Sequence, residues 1–145
     1  LRRRALTERE ASSRLRRAGF PSEEALSAVR RAVEEELIDD RVYAKLWVDD
    51  RLLHHPLSRR AIERELEEKG IPHEQIVRAL DASYPPSREP EIARELAAER
   101  WTRLASTEPD ARRRRAMDHL LRRGFPAGLA ADAVRRVERE DGSRD

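Results

Sequence analysis

Apolar residues recur three and four positions apart along nearly the whole chain, with Ala, Leu, Arg and Glu between them, and no segment alternates as a strand would. The pattern predicts an all-α protein. Its punctuation is regular: residues 15–21 read LRRAGFP, residues 66–72 LEEKGIP and residues 120–126 LLRRGFP. Gly19, Gly70 and Gly124 therefore recur roughly every 50 residues, a period that signals stacked structural repeats. Each phrase reads as a Schellman helix ending. Glycine takes the left-handed conformation, and the next apolar residue folds back toward the residue five positions earlier. That logic pairs Leu15 with Phe20, Leu66 with Ile71 and Leu120 with Phe125. The following proline cannot continue the old helix but suits the start of a new one, so each phrase is a corner between two helices.

Between the corners, capping residues set the element ends. Thr7 and Glu10 have capping-box spacing and predict a helix over residues 8–18, and Ser22 as a cap predicts a second over 22–35. Asp39 and Asp40 precede Val42, Tyr43, Leu46, Trp47 and Leu53, which places an N-cap ahead of a helix apolar around much of its circumference and therefore well buried. His54, His55 and Pro56 break that helix. Ser58 caps the next, which ends at Gly70, and a third covers residues 73–83. Residues 84–90, YPPSREP, read as a stiff connector that includes Tyr84. Ile92, Ala93, Leu96, Ala97 and Trp101 then restart the pattern. Thr107 with Asp110 caps a helix ending at Gly124, and Leu129, Ala130, Ala133, Val134 and Val137 define the last.

The predicted organisation is a partial first repeat over 1–38 that lacks its opening helix, a three-helix repeat over 39–83, the connector, a third repeat over 91–139 and a frayed tail over 140–145. Because the chain starts at Leu1 rather than Met, removal of an N-terminal segment is expected, with residues 1–6 as its stub.

Composition narrows the function. Charged residues make up 41% of the chain, aromatics 4%, and cysteine is absent, which removes disulfides and catalytic or zinc-binding thiolates and points to the cytoplasm. No apolar run approaches the roughly 20 residues that cross a bilayer, and the arginine-rich start lacks a signal peptide's apolar segment, so no membrane partner is expected. With 31 basic against 29 acidic residues, any affinity for nucleic acid must come from local clustering. All basic residues except Lys45 and Lys69 are arginines, which suit bidentate contact with phosphate or carboxylate, although a biased genome composition would produce the same preference.

Clustering is strongest over residues 110–123. At about 100° per residue, Ala116, Met117, Leu120 and Leu121 fall together, while Arg112, Arg115, His119 and Arg122 fall opposite. Asp118 is the sole acid between Ala111 and Gly124, so this face is either a meeting place for DNA phosphate or an acidic groove, or an ordinary solvated surface. Arg113 lies nearer the apolar side, where its stem can be buried. Arg59, Arg60 and Arg64 are interleaved with Glu63, Glu65, Glu67 and Glu68, and Arg64 with Glu68 has surface-pair spacing, so that face reads first as self-paired. Arg51 ends a helix, where a cation complements the dipole. Arg2, Arg3, Arg4, Arg16 and Arg17 make the N-terminal end basic.

Catalytic patterns are missing from the sequence. Asp39, Asp40, Asp49 and Asp50 read as caps and solvent-facing positions rather than converging metal ligands, and Asp49 and Asp50 point about 100° apart. His54 and His55 sit in a helix-breaking segment. There is no His-Glu-x-x-His, no Walker loop and no Gly-x-Ser-x-Gly elbow. Trp47 and Trp101 occupy corresponding first helices and are expected to fill cores rather than stack on bases. The reading is a non-enzyme with no cofactor and no metal.

Three tandem units, with ELIDDRVYAKLWVDDR at residues 36–51 and RRAIERELEEKGIPHEQIVRAL at residues 59–80, resemble the RecX family, bacterial regulators of the recombinase RecA. The most specific block is Leu37-Ile38-Asp39-Asp40 followed by Tyr43-Ala44, then Ile62, Glu65, Leu66, Lys69, Gly70 and Ile71. Residues 120–125, LLRRGF, look like that family's last repeat. Two local departures are Glu36, where the family usually has Gly, and Pro56-Leu57-Ser58 in place of a commonly Gly-containing turn.

The resemblance implies a curved, elongated array of tandem three-helix repeats that lies in the groove of a RecA filament on single-stranded DNA and restrains recombinase activity, and the chain is expected to act as a monomer. The partner-binding set is then Arg112, Arg115, His119, Arg122 and Arg123, with Arg51, Arg59, Arg60 and Arg64, facing the filament or its DNA. The repeats alone also admit a stand-alone DNA-binding helical protein or a helical-repeat interaction adaptor.

Overall fold

The computed structural model describes residues 6–36 and 38–143. Every regular element among them is helical: α1 Glu8–Arg17, α2 Ser22–Glu34, α3 Asp40–His54, α4 Arg59–Glu68, α5 His73–Ser83, α6 Glu89–Arg103, α7 Pro109–Arg122 and α8 Ala127–Gly142, with a short 3₁₀ turn at Pro86–Arg88. Arg2, Arg3, Arg4, most of the expected N-terminal stub and Leu37 lie outside the described residues.

All three corners close as Schellman turns. Gly19, Gly70 and Gly124 have φ of 99°, 82° and 91°. The Phe20, Ile71 and Phe125 N–H groups donate to the Leu15, Leu66 and Leu120 carbonyls at 3.1, 3.1 and 3.2 Å, and each glycine N–H donates to the residue three before it. The end of α2 closes similarly without a glycine. Glu36 takes φ 59°, and its N–H donates to the Val33 carbonyl at 3.0 Å.

The caps follow the sequence in part. Thr7 is fully buried and its hydroxyl accepts from the Glu10 N–H at 3.0 Å, while Ser58 accepts from the Ala61 N–H at 3.0 Å. Ser22, expected as a cap, is instead the first residue of α2, and Pro21 ahead of it offers no side-chain acceptor. Glu108 rather than Thr107 caps α7, accepting from the Asp110 and Ala111 N–H groups at 3.0 and 3.1 Å, bonds that hold its carboxyl below the usual carboxylate range. Pro109 then opens the helix, where its missing N–H costs nothing.

The chain divides into two compact units, residues 1–50 with 63–83 and residues 51–62 with 84–145, so α3 and α4 each contribute to both. In the first unit, Ala11, Val29 and Ile38 form a small core edged by Leu15 and Ala32. Asp40 is buried and accepts from the Glu8 N–H at 3.1 Å, capping α1 from the start of α3. Tyr43 and Trp47 stack at 6.0 Å, Lys69 Nζ sits 4.5 Å over the Trp47 ring, and Trp47 Nε1 donates to Glu65.

In the second unit, Ile92, Ala93, Leu96, Ala97 and Trp101 of α6 are buried, with Ala116 and Leu120 of α7 and Ala130, Ala133, Val134 and Val137 of α8. Four expectations are corrected. Tyr84 is no mere connector residue: it is fully buried and its hydroxyl donates to the Leu57 carbonyl at 2.8 Å. The connector is a 3₁₀ turn that runs straight into α6, and residues 140–142 continue α8, because Asp141 accepts from Trp101 Nε1 at 3.1 Å. Finally, α3 is less buried than its composition implied, since Val42, Leu46 and Leu53 are exposed while Tyr43, Ala44 and Val48 are buried.

Candidate functional site

Helix α7 carries the densest run of arginines, and its packing sorts them. Ala116 and Leu120 point into the core. Arg112, which a helical wheel sets on the outer face, instead folds inward with a side chain only 15% exposed. Its guanidinium lies 4.0 Å over the Trp101 ring, and its Nε and Nη2 donate to the Trp101 carbonyl at 3.1 and 2.7 Å. Arg112, Trp101 and Asp141 thus rivet α7, α6 and α8 together, and the planar fork explains why arginine stands there. Arg113, expected to bury its stem, reaches α8, where its Nε donates to both Glu138 oxygens at 2.8 and 2.9 Å and its Nη1 pairs with Asp110 at 2.6 Å. Those bonds lower the Glu138 pKa and raise that of Arg113.

Arg114, Arg115 and Arg122 remain exposed on α7, as does Leu121, which a helical wheel groups with the core. His119 beside them is half-buried. Burial first, then the charges of Arg123, Arg100 and Arg122, push its pKa down, so near neutral pH it contributes a neutral ring rather than a fourth charge. Arg123 turns away, its Nη1 donating to the Pro56 carbonyl at 2.9 Å, and its own carbonyl accepts from the Ser58 N–H at 3.0 Å.

On α3 and α4 the candidates also separate. Arg59 is half-buried, its N–H donating to Glu89 Oε2 at 2.7 Å and its Nε to the Tyr84 carbonyl at 2.6 Å, so it helps hold the start of α4 to the segment before α6. Arg60 and Arg64 are exposed, and Arg51 is half-buried near the end of α3. Helical face alone would group these arginines; in the structure Arg59, Arg112, Arg113 and Arg123 tie helices within the second unit, while Arg60, Arg64, Arg114, Arg115 and Arg122 are at exposed positions.

Three of the four carboxylates considered for metal chemistry have structural duties. Asp39 accepts from the Arg41 N–H at 2.9 Å, Asp40 caps α1, and Asp49 pairs with Lys45 at 2.9 Å. Among the described residues, Glu63, Glu67 and His73 bring one ligand atom each within 4.8 Å of one another at the α4–α5 corner, a largely exposed trio that sequence spacing did not flag. Also missed were Arg94 on α6 and Arg135, Arg136 and Arg139 on α8. Their signal was available, since positions 135, 136 and 139 share one helical face. No helix among the described residues is long and apolar enough to cross a membrane.

Comparison with known proteins places this architecture. The family model described as RecX, second three-helix domain, matches residues 39–80, and that described as RecX, third three-helix domain, matches residues 88–134. The regulatory protein RecX of Thermobifida fusca is 36% identical over 129 residues, covering 89% of this chain and 69% of that protein. The regulatory protein RecX of Amycolatopsis mediterranei is 34% identical over 140 residues, covering 97% of this chain and 79% of that one. Among solved structures, RecX from Lactobacillus salivarius matches with a TM-score of 0.77 at 19% identity, over 92% of this chain and 86% of its own. A second crystal structure of regulatory protein RecX gives 0.75 at 23% identity, over 91% of this chain and 64% of its own. These two establish the shared helical fold. With both domain models matched in order and relatives this similar along most of its length, the chain belongs to the RecX family.

Proposed function

We propose that this chain is a non-enzymatic regulator that binds RecA filaments on single-stranded DNA and restrains recombinase activity. The observation that carries the reading is membership of a family whose relatives are named regulatory proteins. The exposed α7 face supports it: Arg114, Arg115 and Arg122 present guanidiniums to solvent, with Asp118 as the one acid of that stretch. Such a face suits a phosphate backbone or an acidic protein groove. Arg60 and Arg64 on α4 offer a second basic contact. Arg59, Arg112 and Arg123 act on the partner mainly by holding the helices that carry the exposed residues, Arg51 near the end of α3 adds a further cation, and His119 supplies a neutral hydrogen-bonding ring. Successive repeats touching neighbouring protomers or DNA convert several weak contacts into one durable attachment, which blocks filament growth or ATP turnover. The protein works in the cytoplasm as a monomer.

The test is ATP hydrolysis by the cognate RecA on single-stranded DNA, titrated with this chain and accompanied by a filament-binding measurement. Inhibition with filament binding is expected, and the double variant Arg115→Glu, Arg122→Glu should need about tenfold more protein for the same inhibition while keeping its helicity. Arg112 is left intact because replacing it also disturbs the core. Undiminished inhibition by the double variant would reject the α7 face, and the lack of inhibition or filament binding by the parent chain would reject the function.

A further inference from the structure

Sequence reading passed over a cleft in the second unit, of about 470 Å³, between α6 and α8. Its apolar lining comes from Pro90, Leu129 and Ala133, of which Ala133 is buried and Leu129 half-buried. Its rim is cationic: Arg94 comes from α6, and Arg135, Arg136 and Arg139 from α8. The spacing of the α8 residues places them along one side of the helix, and the C-terminal half of a helix favours cations there. Among the described residues that line the cleft, Asp132 is the one acid and is paired with Arg135, which leaves Arg94, Arg136 and Arg139 in excess. Arg94 Nε is buried with no hydrogen-bond acceptor among the described residues. A second depression of about 460 Å³ continues past Arg136 and Arg139 to Glu140 and Ser143.

We infer that this cleft is a docking site for an acidic protein segment that seats one aliphatic side chain on the apolar lining and places flanking carboxylates on the arginine rim. Charge complementarity selects an anion, and the planar guanidinium fork suits carboxylate oxygens in pairs. The apolar lining selects between anions. Single-stranded nucleic acid is held by stacking bases on aromatic rings as well as by phosphate contacts, and no aromatic residue lines this cleft among the described residues, whereas its aliphatic lining matches a leucine-like anchor. The surface is separate from the exposed α7 arginines and does not depend on the filament-binding reading.

The experiment is fluorescence anisotropy of the full chain with a fluorescein-labelled peptide of alternating Asp and Glu around one central Leu. Controls are the same peptide with Ser replacing Leu, and a labelled oligo-dT. The Leu peptide is expected to bind, and the Ser peptide to bind about tenfold more weakly, because the buried anchor is gone. Arg136→Glu with Arg139→Glu, both at exposed positions, should weaken the Leu peptide about tenfold or more, whereas Arg115→Glu with Arg122→Glu should leave it within about twofold. Equal binding of the Leu and Ser peptides, no binding of either, or equal sensitivity to the α7 variant would overturn the proposal. Oligo-dT binding more tightly than the peptide, and losing as much on the Arg136 and Arg139 substitutions, would instead make the cleft a nucleic-acid groove.

Discussion

Replacing Arg112 by Ala separates a structural arginine from a surface one in a helix where the sequence makes them look alike. The carbonyl that Arg112 serves belongs to Trp101 in the last turn of α6, where carbonyls have no full complement of intrahelical partners. Charge-assisted hydrogen bonds of this kind contribute about 1.5–3 kcal/mol when one partner is removed. Stacking over the Trp101 ring adds about 1 kcal/mol. The 3.7 Å contact with Asp141 adds little, because that carboxylate is half-exposed. Water entering the vacated site rehydrates the Trp101 carbonyl in part, so the net loss is about 2–3 kcal/mol, a sizeable share of the roughly 5–15 kcal/mol that holds a domain together. At about 2–4 °C per kcal/mol for a chain of this size, thermal melting followed by circular dichroism should fall by about 5–10 °C. Arg112→Lys keeps the charge but cannot straddle the carbonyl with two donors, and should fall between Ala and the parent. Arg115→Ala is the control and should shift stability by no more than about 0.5 kcal/mol. If Arg112→Ala melted within about 1 °C of the parent, the rivet would carry no stability and the outward-facing reading of Arg112 would stand.

The other predictions concern backbone, packing and protonation. Glu36 holds φ 59° where its side chain is strained, so Glu36→Gly should stabilise the chain by about 0.5–1 kcal/mol, measured by urea unfolding; a lower midpoint would refute the strain. Gly19→Ala and Gly124→Ala meet the same backbone cost of about 1–2 kcal/mol, but a Cβ on Gly124 would sit 2.6 Å from the Ser58 hydroxyl while one on Gly19 meets nothing. Gly124→Ala should therefore cost about 1–2 kcal/mol more, through loss of the Ser58 cap, and equal costs would deny the contact. His119 has a folded pKa below its unfolded one, so the stability it contributes is fully present above the ordinary value of about 6.5 and is lost as pH falls toward the lowered one. Melting temperature should drop over that window more steeply for the parent than for His119→Gln; parallel profiles would show that His119 is not the group responsible.

Much of the fold was legible because its signals are local. Glycine at a positive φ, a proline after it and an apolar residue between them determine a Schellman corner within seven residues, and all three corners formed. Caps were legible where the acceptor was a hydroxyl, as at Thr7 and Ser58. They were misassigned where a proline moved the start, as Pro109 did by leaving Glu108 as the cap. The arginine-rich run of α7 was likewise visible. Its division into Arg112 on Trp101, Arg113 on Glu138 and the exposed Arg114, Arg115 and Arg122 was not, because each partner lies on another helix.

The three corners show where the two kinds of determination part. By itself the sequence determined that Phe20, Ile71 and Phe125 would follow a left-handed glycine and donate back to a leucine carbonyl, since backbone sterics and hydrogen bonding depend only on neighbours in the chain. Only the tertiary structure decided that Ile71 and Phe125 would be buried while Phe20 stays 49% exposed, and that Gly124 would press on Ser58 while Gly19 faces open space. Burial is a property of what else arrives at a position. The same seven-residue phrase is therefore a tight joint in one repeat and an open surface in another, because hydrophobic and steric free energies are set by contacts between helices far apart in sequence.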